Sequence, residues 1–93
     1  MHEVTFNQDA NEFHVLLEGE LSAVMKFERD GDVFIVTSTK VPESLQGKGY
    51  GKVLMESVLP VIESMGVKVL PKCSFVVSYL ERNPQWQHLR VEN

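Results

Sequence analysis

A single cysteine, Cys73, excludes an internal disulfide, and no residues around it are spaced as metal ligands, so no metal site is expected. No apolar run approaches the length of a membrane span, and no basic-then-apolar leader opens the chain. An excess of basic residues is also missing. The net charge of −4 argues against a general nucleic-acid binder. At 93 residues there is room for one hydrophobic core and not for two. Residues 1–93 therefore read as a single domain of a cytoplasmic protein, a monomer or a weak homodimer. Against the acidic background, Lys40, Lys48 and Lys52 gather around one glycine-rich stretch, a local positive patch suited to a small polyanion.

That stretch is Gln46-Gly47-Lys48-Gly49-Tyr50-Gly51-Lys52. Glycines at alternate positions open backbone conformations that other residues resist, and they let a ligand approach the main chain. Before it, Val33 to Thr39 is β-branched and aromatic, as a strand requires. After it, the run from Val53 has helical spacing. A glycine loop between strand and helix collects free backbone N–H groups at the positive end of the helix dipole, where a phosphate binds. A tight turn that binds nothing is the alternative.

The flanking elements follow from periodicity. Val4-Thr5-Phe6, Glu12 to Glu18 and Leu21 to Glu28 read as strands, joined by polar turns at 7–11 and at Gly19-Glu20. Asp30-Gly31 marks a tight hairpin into Val33 to Thr39. Pro42 ends regular pairing. The helix beyond the loop runs to about Met65, burying Leu54, Val58, Val61, Ile62 and Met65, with Gly66 as its cap and a kink or break expected at Pro60. Val67 to Leu70 is a strand parallel to 33–39, because strand–helix–strand crossovers are right-handed. Ser74 opens a second helix to about Arg82 with Phe75, Val76, Tyr79 and Leu80 inward, and a terminal turn carries Trp86. The fold class is α+β: a mainly antiparallel sheet with one parallel crossover strand and two main helices.

The loop fails the nucleotide P-loop pattern, since Gly47 is one residue too close and Val53 follows Lys52 where a hydroxyl is needed. It fails the dinucleotide G-x-G-x-x-G pattern as well. Gln46, Gly49 and Gly51 satisfy Q/R-x-x-G-x-G/A, which resembles the pyrophosphate loop of the GCN5-related N-acetyltransferases. Val41 to Gly51 is similar to the "VPxxLRGxGxG" segment of that superfamily. Leu70 to Val76 resembles the "PxCxFV" stretch, and Ser78 to Pro84 the "YxxxxP" ending, of its minimal single-domain members.

The resemblance implies an acetyl-coenzyme A-dependent transfer to an amine, with the acceptor undefined. It implies that strands 33–39 and 67–70 splay, that backbone at Lys40 and Val41 pairs with the pantetheine arm, and that amides of residues 47 to 52 hold the pyrophosphate. Gln46, Gly47, Lys48, Gly49, Tyr50, Gly51 and Lys52 are thus coenzyme residues. Lys48 or Lys52 either reaches a further phosphate or is a solvated surface lysine. Tyr79 is either the proton donor to the departing thiolate or a core tyrosine. Cys73 is either an acyl-accepting nucleophile at a helix start or a small buried hydrophobe. Small family members carry "HTEV" where this chain has Ser38-Thr39-Lys40-Val41. With no histidine or glutamate there, and with Lys40 repelling a cationic amine, a non-catalytic coenzyme A-binding module is the rival reading. His2, His14 and His88 have no partner recognisable from sequence.

Overall fold

The computed structural model describes residues 2–91. Five strands, β1 (Val4–Asn7), β2 (Glu12–Glu18), β3 (Leu21–Asp30), β4 (Val33–Lys40) and β5 (Lys68–Pro71), form one sheet in sequence order. The first four pair antiparallel, and β4 pairs with β5 in parallel. The crossover between them is α1 (Tyr50–Met65), which begins within the glycine-rich stretch, after a left-handed Gly49, and stops at a left-handed Gly66. The second helix, α2 (Ser74–Arg82), is followed by a 3-10 stretch, Pro84–Leu89. The expected fold class is the one observed.

Both helices lie on one face of the sheet. Alternation places Phe13, Val15, Ala23, Met25, Phe27, Phe34 and Val36 on that face, all buried, against Leu54, Met55, Val58, Leu59 and Ile62 of α1. Phe6, Phe13, Phe27 and Phe34 form one aromatic cluster, with the Phe27 and Phe34 rings stacked at 4.2 Å. The opposite face carries the alternate residues, among them Glu12, His14, Val24 and Lys26, half-buried or exposed. After the last 3-10 turn, the Val91 amide donates to the Val69 carbonyl at 2.8 Å, covering part of the outer edge of β5.

Several details differ from the sequence expectations. Helix α1 passes through Pro60 without a break, because the ring costs one hydrogen bond, to Glu56, in a helix anchored by its buried stripe. Met65 is 37% exposed, and Met55 and Leu59 take the buried positions expected of it and of half-buried Val61. The helix starts three residues earlier than the apolar spacing suggests, which rotates no residue but brings Tyr50, Gly51 and Lys52 into its first turn.

Two outcomes follow from this packing. Phe34→Ala should lower the unfolding free energy by about 3–5 kcal/mol in chemical denaturation, the range for deleting a buried phenyl ring. Pro60→Ala, at an exposed helix position, should raise it by up to about 3 kcal/mol by restoring an intrahelical bond.

Candidate functional site

The site begins where β4 and β5 stop pairing. Their parallel register runs from Val33↔Lys68 to Val36↔Pro71. There the Val36 carbonyl accepts from two amides, Lys72 at 2.9 Å and Cys73 at 3.2 Å, and the ladder closes. On its other side β4 pairs Val36 with Phe27 but Ser38 with Lys26, so Thr37 is an extra residue. Such a bulge bends the strand and raises its twist. The Thr37 hydroxyl holds the bulge by donating to the Lys26 carbonyl at 3.3 Å. Past it, β4 stays bonded to β3 while its other edge faces a notch in place of β5. At this notch the Thr39 hydroxyl meets the Cys73 sulfur at 3.5 Å.

From the notch a cleft of about 230 Å³ runs between β4 and α1, lined by Thr39, Val41, Gln46, Gly51, Leu54 and Phe75. Phe75 was expected inward and is 39% exposed. Its ring instead lies over Gly51, where an added Cβ would stand 2.8 Å from a ring carbon. Gly51 is therefore small for packing, independently of any ligand. The Gln46 side chain turns back and donates to the Val41 carbonyl at 3.1 Å, bracing the loop against the end of β4.

The loop itself starts from a 3-10 turn, Glu43–Leu45, and then passes through left-handed backbone at Gly47 (φ 85°) and Gly49 (φ 82°). Among the described residues, no protein acceptor takes the amides of Gly47, Lys48 or Gly49. Helix geometry leaves the amides of Tyr50, Gly51 and Lys52 without an intrahelical acceptor. No acidic residue occupies the first turn of α1. Six consecutive N–H groups thus stand at the positive end of a 16-residue helix.

Glu18, at the end of β2, reaches this loop, a contact the sequence did not signal. Its carboxylate accepts from the Tyr50 hydroxyl at 2.5 Å and lies 3.7 Å from the Lys48 ammonium. The Tyr50 bond, aided by Lys48, holds Glu18 below the usual carboxylate range, and the same bond pushes the Tyr50 hydroxyl up. Lys52 lies instead along a second cavity of about 580 Å³, between α1 and α2, which Tyr79 and Arg82 also line.

Cys73 sits half-buried as the N-terminal cap residue of α2. Burial pushes its thiol up, but the Thr39 hydroxyl and the amide dipoles of Val76, Phe75 and Thr39 outweigh burial and hold it below the ordinary thiol value. Tyr79 is 7% exposed. Burial and the Glu56 carboxylate push its hydroxyl up, against a hydrogen bond from the Trp86 side chain. Cys73 and Thr39 therefore meet at the notch, whereas Tyr79 stands on the wall of the second cavity. Each histidine does have a partner, which the sequence reading missed: His2 meets the Leu16 carbonyl, His14 the Glu12 carboxylate and His88 the Glu63 carboxylate. Two of these pairs join distant segments, which sequence alone does not bring together.

The family model for GCN5-related N-acetyl-transferases matches residues 12–89, which contain the notch, the glycine loop and both helices. The chain belongs to the GCN5-related N-acetyltransferase family. Its structure resembles the NMR solution structure of a GCN5-like protein from Staphylococcus aureus, assigned as a candidate N-acetyltransferase, with a TM-score of 0.71. The two share 23% identity over 98% of this chain and 89% of the other, a likeness of fold. No curated protein sequence matches.

The environment of Cys73 makes a direct forecast. Its alkylation by iodoacetamide should rise with pH about a midpoint below that of an ordinary thiol. Thr39→Val removes a donor to the thiolate, so the midpoint should move up and the rate at neutral pH should fall by about fivefold, the factor carried by about 1 kcal/mol.

Proposed function

We propose that the protein is an acetyl-coenzyme A-dependent N-acetyltransferase that builds its coenzyme site from the notch and the glycine loop. The observation that carries this reading is the continuity of three features: unpaired amides at 47 to 52, a cleft reaching from Gly51 to Thr39, and a low thiol at its far end. The diphosphate lies on the loop amides, with Lys48 free to turn from Glu18 to a phosphate oxygen. The pantetheine arm follows the open edge of β4 near Lys40 and Val41, adding to the sheet as an extended peptide does. This delivers the thioester to Cys73 and Thr39.

Two routes lead from there. In the first, the Cys73 thiolate attacks the thioester carbonyl, the bond to the coenzyme sulfur breaks, and a later amine takes the acetyl group from Cys73. In the second, the amine attacks the thioester directly. Either way the departing thiolate needs a proton. Tyr79, whose hydroxyl burial and Glu56 keep protonated, lines the cavity on the other side of the Phe75 ring, so the proton given up by the attacking amine or by solvent is the nearer source. A non-catalytic coenzyme A-binding module is the second reading. It is favoured by Ser38 and Lys40, which leave the end of β4 without a histidine or carboxylate.

Coenzyme A at about a hundred times its dissociation constant should stabilise the fold by about 2.7 kcal/mol, read as a melting shift. No shift would overturn both readings. Incubation with acetyl-coenzyme A should add one acetyl group to the protein, seen by mass spectrometry and lost in Cys73→Ala. Unmodified protein that still acetylates an amine would leave direct attack, and unmodified protein without turnover would leave the binding module.

A further inference from the structure

We propose that the helix-free face of the sheet holds the acyl acceptor, and that this acceptor is a small amine bearing its own carboxylate, such as a free amino acid. The inference rests on the acyltransferase reading and adds the acceptor to it. Two cavities lie along this face, of about 440 and 640 Å³, and they share Val24 and Lys40 as lining residues. They adjoin at these two residues and together form a groove on either side of them. The groove reaches the coenzyme cleft at two points, because Thr39 and Gln46 each line both. Thr39 pairs with buried Met25 and meets Cys73 on the helix-bearing side, so the groove and the notch lie on the two sides of this residue at the open edge of β4, and the acyl group reaches the groove around that edge.

The charges in the groove select its occupant. Strand register aligns Glu12, Lys26 and Ser38 in one row across the face, and His14, Val24 and Lys40 in the next. Glu12 is the most enclosed of the charged groups, its side chain 22% exposed against 61% for Lys26. One of its oxygens is 2.9 Å from the His14 ring and the other 3.8 Å from the Lys26 ammonium. Its carboxylate is thus held in place, ready to receive an ammonium or amine. The Lys40 ammonium makes no hydrogen bond or ion pair to any described residue. A carboxylate placed between Lys40 and Lys26 would satisfy both, with the amine of the same molecule beside Glu12. Two ammonium groups at the centre of the groove repel a polyamine and any simple cationic amine. Val24 offers only a small apolar floor between the two rows, so the side chain has little to read and the charged ends dominate selection.

The test is a titration of isotope-labelled protein, with coenzyme A present, by L-alanine, ethylamine and spermidine in turn. L-Alanine should shift the backbone amides of Val24, Lys26, Ser38 and Lys40 saturably, and the two amines lacking a carboxylate should not. Lys40→Glu and Glu12→Gln, both on an exposed or half-exposed face, should each weaken the alanine response about tenfold or more while the spectrum stays folded. With acetyl-coenzyme A, mass spectrometry should find N-acetylalanine and no acetylspermidine. Absence of a saturable shift with alanine, or equal shifts with ethylamine or spermidine, overturns the acceptor assignment while a coenzyme melting shift leaves the acyltransferase reading intact. Absence of that melting shift overturns the acyltransferase reading, and the acceptor role with it.

Discussion

The Val36 carbonyl, accepting from both Lys72 and Cys73, is the contact on which the site depends. It ends the parallel ladder within four residue pairs and turns the chain from β5 into α2. The Thr37 bulge acts at the same point from the other side, bending β4 while it remains bonded to β3. Without both devices β4 and β5 would continue side by side, and there would be no notch for Cys73 to face. The placement of Cys73 as the cap of α2 is a consequence of the same turn. Its low thiol value is a further consequence, since the helix amides and Thr39 are brought to it by that geometry.

The glycine loop is arranged with similar economy. Gly47 and Gly49 take left-handed backbone, which points successive N–H groups outward instead of into the protein. Gly51 has a separate reason for being small, the Phe75 ring laid across it. That ring borders the cleft on one side and the larger cavity beside Lys52 and Tyr79 on the other. One aromatic side chain therefore shapes both spaces, and it is exposed because it packs on backbone at the rim and not in the core. Glu18 adds a negative group beside the loop, balanced by Lys48 and Tyr50, so the patch is less positive than its lysines alone suggest.

The match to the GCN5-related N-acetyltransferases spans residues 12–89 and so takes in the notch, the glycine loop and both helices together. The end of β4, at Ser38 and Lys40, carries neither carboxylate nor imidazole, and these groups lie in the same rows on β2, at Glu12 and His14. Because the rows of the sheet are in register, substitutions on one strand are read against residues two strands away.

Local patterns determined the elements. Alternation in β2 and β3, the Asp30-Gly31 turn, the glycine loop and the Gly66 cap are each set by a few neighbouring residues, so the α+β order was legible from the chain. The loop amides were legible for the same reason, since glycine spacing and a following helix specify them locally. What the tertiary structure alone decided was which side chains meet: Thr39 with Cys73, Glu18 with Tyr50, Phe75 with Gly51, and Tyr79 with Glu56 and Trp86. Contacts across tens of residues leave no periodic trace in a sequence, because they depend on the angle at which two elements pack. The one-residue bulge at Thr37, which bends β4 towards the notch, is of this kind, and no local signal distinguishes it from its neighbours.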